Sequence, residues 1–254
     1  MAYFSGQGKL YAANVTNGSP GPFRWLGNVP ALSVELKVDT LEHKESHSGQ
    51  RLTDLRIVKE KSATFKFALE DIDLKNLSLA LYGTETLLSG ATITGEALGS
   101  TLPAAGDLLR LARPKVSALT LVDSTDPTPK TLAAGTNYRL LDNGDYGLVE
   151  ILNLATGGPF EAPLKASYTA GSVANLAMFS AARPELWLRF EGLNTADSDR
   201  PVLVELYRAA PDPLKGFDFI GDDVTKLDIE GGVLADMTKN YDAALGLFGR
   251  IVMI

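Results

Sequence analysis

The chain has 254 residues, 45% of them hydrophobic and 22% charged, which is the composition of a globular protein with one large β domain or two smaller ones. Its formal net charge of −7 argues against a protein that grips nucleic acid, which needs basic surface to neutralise phosphates. The absence of cysteine excludes disulfides and thiolate metal sites. A cytoplasmic place of synthesis is expected: the start MAYFSGQGKLYAAN lacks the pattern of a signal peptide, and no apolar run reaches the roughly 18 residues of a membrane span.

Two runs in the first part of the chain alternate as β-strands do. Residues 31–39 (ALSVELKVD) place apolar side chains at every second position, and residues 62–69 (SATFKFAL) repeat the pattern. Period-two alternation predicts strands with one buried and one solvated face. The residues expected to share the buried face of the first run are Leu32, Val34, Leu36 and Val38.

The one predicted helix lies in residues 70–83 (EDIDLKNLSLALYG). Asp71 or Asp73 is expected to cap its first turn, where a carboxylate accepts hydrogen bonds from free backbone amides. Gly83 is expected to end the helix with a positive φ, which glycine adopts without strain. The apolar face of this helix comprises Leu74, Leu77 and Leu81.

From about residue 116 the chain changes to short strands separated by turn-rich stretches such as DSTDPTP and DNGDYG. Longer alternating runs return after residue 173, for example in ELWLRFEG and PVLVELYRA. We therefore predict an outer β domain, residues 1–104 and 173–254, that carries an inserted β module at residues 105–172. Both parts are expected to be mainly antiparallel, because polar residues recur on one face of the strands.

The stretch LEHKESHSGQR, residues 41–51, contains both histidines of the chain, His43 and His47. Zinc hydrolases use HExxH on a helix, but here Glu45 stands at a different position between the two histidines. In a strand the two rings would lie roughly 13 Å apart, at about 3.3 Å per residue, which is too far for one ion. The sequence therefore predicts no metal site and favours a solvated, mixed-charge hairpin or loop.

Charge in this hairpin is balanced. Between Asp39 and Lys61 there are five acidic and five basic residues. Opposite charges set the register of an interface and suppress wrong contacts. A balanced arm therefore suits pairing with a complementary neighbour.

No motif predicts catalysis or a cofactor. GxGxxG, GxxxxGK[ST] and GxSxG are absent. Adjacent carboxylates such as Asp222 and Asp223 are expected by chance in a chain with 31 acidic residues. With two histidines and no cysteine, most nucleophile–base triads are unavailable, so the protein is predicted not to be an enzyme and to need no cofactor.

Two stretches resemble the major tail tube proteins of long, flexible-tailed bacteriophages and related prophages. The first covers roughly residues 1–85 and includes FSGQGKLYAA and PFRWLGNVPALSVELKVDTLEHKESHSGQR. The second covers roughly residues 185–240 and includes FEGLNTADSDRPVLVELYRAAP. The order of elements is also similar: strands, a long charged arm, a strand, a helix and further strands.

The resemblance implies an antiparallel β-sandwich or barrel flanked by one α-helix, with the module at 105–172 as a decoration of its outer surface. It implies homohexameric rings that stack into a tube and conduct the DNA genome into the host cell. It also implies that the long charged arm contacts neighbouring subunits. The contact residues would be Glu42, His43, Lys44, Glu45, His47, Gln50, Arg51 and Asp54.

The partners that the resemblance implies are other copies of the chain, tail terminator, tape-measure and tail-tip proteins, and phage DNA that passes through the lumen without specific binding. No membrane is involved, and the protein would reside in the virion tail after assembly in the cytoplasm of the bacterial host. An acidic lumen would repel DNA within a Debye length of about 8 Å. From Pro211 to the end the chain has eight acidic and four basic residues, although no individual residue is assigned to the lumen.

Two alternatives remain open. A tail-tip ring protein, or the tube of a contractile or secretion-type injection machine, would share the fold but form a single ring or need a surface that binds a sheath. A carbohydrate-binding or hydrolytic tail protein would instead show an exposed aromatic platform or a cleft with paired carboxylates.

Overall fold

The computed structural model of the chain describes residues 3–239, 242 and 244–254. Strands hold 50% of the residues and helices 5%, which confirms the predicted mainly β fold with antiparallel sheets. One α-helix, α1 (Leu74–Ala80), occurs in the described residues, and short 3-10 helices span Asp142–Gly144 and Met237–Lys239. The strands are β1 (Gly6–Thr16), β2 (Ser19–Pro20), β3 (Arg24–Trp25), β4 (Ala31–Lys44), β5 (Thr53–Leu69), β6 (Thr84–Leu88), β7 (Ala91–Leu98), β8 (Leu108–Arg110), β9 (Val116–Val122), β10 (Thr131–Leu132), β11 (Tyr138–Leu140), β12 (Leu148–Ile151), β13 (Leu164–Ala170), β14 (Val173–Ala177), β15 (Leu186–Asn194), β16 (Arg200–Pro211), β17 (Leu227–Val233) and β18 (Gly249–Met253).

The chain divides into two compact units. The outer unit comprises Met1–Glu85 and Leu176–Ile254, and the inserted unit comprises Thr86–Asn175. The sequence-based boundaries, 105 and 172, assigned residues 86–104 to the outer domain instead. The inserted unit begins earlier because β7 pairs with β13 and buries Leu98 in the core of that unit.

The outer unit is built on one antiparallel sheet of nine strands. The strands follow the order β2-β1-β15-β16-β17-β5-β4, with β3 beside β1 and β18 beside β16. Residues 202–206 of β16 pair with β18 and residues 209–211 pair with β17, so these two strands share one edge of β16. β4 is the last strand in this order, which makes it an edge strand of the described sheet.

The core of the outer unit brings together the sheet and α1. Phe65 and Phe67 of β5 are buried and stack with their ring centroids 5.9 Å apart. Leu188 of β15 and Ile229 of β17 belong to the same buried cluster, as does Ala80 of α1. Because each fully buried large apolar side chain contributes about 1.5–3 kcal/mol, this cluster fixes the register of β5 against its neighbours.

The helix begins as predicted and ends differently. The carboxylate of Asp73 accepts a hydrogen bond from the amide of Asn76 at 2.6 Å, which confirms Asp73 as the N-cap. The predicted ending at Gly83 is wrong, because Tyr82 is the residue with the positive φ, at 47°. Gly83 is needed for space instead: a Cβ there would lie 2.7 Å from Cδ1 of Leu176.

The inserted unit contains antiparallel sheets in the orders β10-β9-β13-β7 and β11-β12-β8, and β6 pairs with β14 in a separate two-stranded sheet. Leu121, Val149 and Leu164 form part of its own buried cluster. Within the described residues, no helix of either unit combines the length and the apolar character needed to cross a bilayer.

Replacing Asp73 by alanine is expected to lower the free energy of unfolding of the outer unit by about 1 kcal/mol, because the first turn of α1 loses its side-chain acceptor. Both tryptophans, Trp25 and Trp187, lie in this unit, so urea unfolding followed by tryptophan fluorescence measures the change. The matched control is Lys75→Ala, an exposed change in the same helix, which should alter the free energy by less than about 0.5 kcal/mol. Equal losses in the two variants would contradict the capping role.

Candidate assembly surface

β4 and β5 extend well beyond the core of the outer unit. Their ladder runs from the pair Ala31 and Ala68 at the base to the pair Lys44 and Thr53 near the tip. The buried residues of β5 begin only at Ala63. Residues 34–62 are called the arm, and from Lys37 to Ser62 the arm continues beyond the last buried residue of β5 as a two-stranded projection.

The strand predicted at residues 31–39 is confirmed, but its predicted burial is wrong over most of its length. Leu32 is half-buried, whereas Val34, Leu36 and Val38 are exposed, Leu36 to 78%. The reason is that β4 is an edge strand that continues past the core. The other exposed apolar residues of the arm are Leu41, Leu52, Leu55, Ile57 and Val58. Contiguous exposed apolar side chains on a globular chain mark an interaction surface.

Glu45 organises the tip of the arm. Its side chain is only 7% exposed and accepts hydrogen bonds from the amides of His47 at 2.8 Å, Ser48 at 2.9 Å and Leu52 at 3.1 Å, and from the Ser48 hydroxyl. The Ser48 hydroxyl contributes most to lowering the pKa of Glu45 from 4.5 to about 2, and the three amides add to it. The side chain of Glu45, a predicted contact residue, is therefore hydrogen-bonded within its own arm.

The remaining predicted contact residues are all exposed: Glu42, His43, Lys44, His47, Gln50, Arg51 and Asp54. Two of them meet across the ladder, where Nδ1 of His43 lies 2.7 Å from Oδ1 of Asp54. Glu42 lies 3.6 Å from Nε of Arg56 on the opposite strand. Arg51 adopts a positive φ of 51° in the tip turn. The charged pairs thus lie along the outer surface of the arm, where a neighbouring molecule has access to them.

The two histidines interact with different carboxylates. His43 pairs with Asp54, whereas Nδ1 of His47 lies 3.0 Å from Glu45. Among the described residues, no group of three or more histidine or acidic side chains is placed to hold a metal ion. The geometry of the tip is that of a hydrogen-bonded turn.

A concave apolar surface lies in the same unit and was missed by sequence reasoning. A cleft of about 780 Å³ is lined by the base of the arm and by β1, β16 and β18, with Val34, Val204, Ile251 and Met253 among its apolar residues. The signal in the sequence was the terminal run IVMI, which the structure places as an edge strand that leaves Ile251 and Met253 exposed.

Glu205 fastens β18, one wall of this cleft, to the sheet. The Glu205 side chain is 6% exposed, and its carboxylate accepts hydrogen bonds from Nε of Arg250 at 2.7 Å and from Nη1 of Arg189 at 3.0 Å. The Arg189 and Arg250 side chains are about a third exposed, so the charge that is costly to leave uncompensated is the buried Glu205 carboxylate. These three residues therefore hold the C-terminal strand in place. Sequence reasoning missed them, since charges that alternate along a strand ordinarily indicate a solvated face.

A second exposed apolar segment follows β16. Phe219 and Ile220 are almost fully exposed, and three acidic residues stand beside them: Asp218, Asp222 and Asp223. The described part of the outer unit thus presents the arm, this loop and the cleft as exposed apolar surfaces.

A comparison with known families identifies the family to which the chain belongs. Residues 3–252 match a family described as a protein of unknown function, UCP028589. The chain belongs to this family. The match spans the outer unit, the arm and the inserted unit. A search of curated proteins found no match to the chain.

Acid is expected to disorder the tip of the arm. Because the folded pKa of Glu45 lies below its usual value, the stabilisation from its carboxylate is complete above about pH 4.5 and is lost as the pH falls towards about 2. The amide resonances of Ser48 and Leu52, followed by NMR during an acid titration, should shift in that window.

Glu45→Gln should shift the same resonances at neutral pH, since an amide offers one acceptor oxygen where the carboxylate offers two. The matched control is Glu42→Gln, an exposed change on the adjoining strand, which should leave the resonances of Ser48 and Leu52 in place. An unshifted tip in the Glu45 variant would contradict the organising role of this carboxylate.

Proposed function

We propose that this protein is a structural component whose copies assemble into six-membered rings, and that the rings stack into the tail tube of a flexible-tailed bacteriophage. The observation that carries the proposal is the arm, a two-stranded ribbon with exposed apolar residues that the core of its own chain does not cover. Such a ribbon is marginally stable alone, so it gains stability when another chain covers it.

The surfaces of the outer unit suit a repeating contact. The arm projects and the cleft beside its base is concave, so a contact between them joins two different surfaces of one chain. Contacts of this head-to-tail kind form a ring when the rotation closes and an open stack when it does not. The edge strand β4 also offers unpaired backbone groups over a strand of 14 residues, to which a neighbouring strand can add.

The acidic net charge of the chain favours a tube through which DNA passes over a protein that binds DNA. The net charge is −7, and residues 211–254 contain eight acidic and four basic side chains. A basic wall would hold DNA through counterion release, whereas an acidic wall repels it within about 8 Å. In the proposed tube the genome passes through the lumen without specific binding.

We extend the proposal to partners and location through the resemblance of residues 1–85 and 185–240 to tail tube proteins. The assembled protein would reside in the virion tail, after assembly in the cytoplasm of the bacterial host. Its partners there would be tail terminator, tape-measure and tail-tip proteins. The role is structural and involves no catalytic step.

Negative-stain electron microscopy of the purified chain across a concentration series tests this function. Rings or hollow tubes are expected for the full chain. A variant in which residues 39–60 are replaced by Asn-Gly should form no tubes, because the arm is lost beyond Val38 and Lys61 while the buried part of β5 is kept. Urea unfolding followed by tryptophan fluorescence verifies that the outer unit of this variant remains folded.

Strict monomers of the full chain at every concentration, with and without added tail-tip proteins, would contradict the tube. Single rings that never stack would favour the alternative of a tail-tip ring protein. Tubes that persist without residues 39–60 would show that this part of the arm is not an assembly surface.

A further inference from the structure

The apolar side chains of the arm change face partway along its length. In β4, Leu36 and Val38 occupy even positions, whereas the next large apolar residue, Leu41, occupies an odd one. The ladder inserts no extra residue into β4 here, and successive side chains of a strand point to opposite faces. Leu41 therefore lies on the face opposite to Leu36 and Val38.

The apolar side chains of β5 also change face, and here the cause is an extra residue in the strand. Its apolar residues Leu55, Ile57 and Phe65 all have odd numbers, which in a regular strand would place them on one face. The register of the ladder shifts between them, because Lys59 is an extra residue without a partner on β4. One extra residue reverses the alternation, and Ile57 consequently lies directly opposite Leu41.

The arm therefore carries two separate apolar stripes. The proximal stripe consists of Val34, Leu36 and Val38, and the distal stripe consists of Leu41, Leu55 and Ile57; all six are exposed. Val58 lies opposite Thr40, on the face of the proximal stripe, at the level where one stripe gives way to the other.

The back of each stripe is polar. Behind the proximal stripe β4 carries Glu35, Lys37 and Asp39, and behind the distal stripe Glu42 and Arg56 form an ion pair of 3.6 Å. Each half of the arm thus has one face to bury and one face to leave in water. The two faces that require burial are opposite ones.

We propose that the arm docks on two other copies of this chain, one on each face. The proximal stripe is covered by the neighbouring copy in the same ring, and the distal stripe by a copy in the next ring. This inference rests on the proposed function and assigns a separate contact to each half of the arm.

Charge identifies the occupants as copies of the chain. The arm from Asp39 to Lys61 carries five acidic and five basic residues, whereas the whole chain has a net charge of −7. A strongly charged partner of either sign would be attracted by one half of these residues and repelled by the other. A second balanced arm, or the base beside it, offers both signs.

The two stripes lie at different distances from the body of the outer unit. From Leu36, which pairs with the buried Ala63, the strand continues for five residues, roughly 17 Å at about 3.4 Å per residue, before the distal stripe begins at Leu41. The distal stripe therefore lies farther from the body of its own unit than the proximal stripe does, where a different copy of the chain can reach it.

The test compares two double variants by electron microscopy and sedimentation. Leu36→Glu with Val38→Glu should abolish rings, and therefore tubes as well. Leu41→Glu with Ile57→Glu should leave single rings and abolish tubes. The matched controls, Lys37→Gln and Glu42→Gln, lie on the polar backs of the two stripes and should assemble like the wild type.

Thiol protection gives a second readout that does not depend on a disruptive substitution. The natural chain has no cysteine, so Val38→Cys or Ile57→Cys introduces a single reactive thiol. The thiol at position 38 should lose its reactivity towards a small maleimide when rings form. The thiol at position 57 should lose its reactivity only when rings stack.

Equal defects in the two double variants, or protection of both thiols in the same step, would overturn the inference while leaving the tube intact. In that case the twist of the ribbon brings both stripes onto one partner. A wild-type chain that forms neither rings nor tubes would overturn the proposed function, and the inference with it.

Discussion

The structure depends on an antiparallel ladder that is longer than the core beneath it. From Ala63 to Leu69, β5 pairs with both β4 and β17 and buries Phe65 and Phe67, so its register there is fixed by packing. Beyond Ala63 the same ladder continues as far as Thr53 with no buried residue of its own. The register of the ladder is therefore set at the base of the arm, and backbone hydrogen bonds maintain it as far as the tip. This register determines which side chains lie on each face of the arm.

A ribbon without a core needs another source of order at its free end, and Glu45 supplies it. A carboxylate has about four acceptor positions, so one side chain can satisfy amides from several points of a tight turn. Glu45 binds the amides of His47, Ser48 and Leu52, which brings the two sides of the tip together. Local hydrogen bonds thus replace packing where the strands are farthest from the core. A fixed tip and a fixed base together determine which side chains share a face along the arm.

Features that depend on near neighbours in sequence could be predicted, and features that depend on distant ones could not. Alternation predicted the strands at residues 31–39 and 62–69, and the chemistry of a carboxylate at a helix start predicted the cap at Asp73. The pairing of β7 with β13 depends on contacts between residues far apart in the chain, which no local pattern records. Alternation shows that one face of a strand requires cover, but it does not say which chain supplies that cover. The described residues of the chain leave the apolar side chains of β4 exposed. Because its own chain does not cover them, another copy is proposed to do so, and this is the argument for assembly.

The change of face at Lys59 also bears on how free chains avoid premature association. A continuous apolar stripe would let any two arms stack along their whole length, whereas two stripes on opposite faces let a single encounter bury only half of an arm. Alternating charges at Glu35, Lys37 and Asp39 oppose pairing along the unpaired edge unless the partner presents matching charges in register. Under the proposed two-sided docking, the full apolar surface of an arm is buried only when copies approach it from both sides. That condition is met inside a growing stack and is not met by two chains that meet in solution.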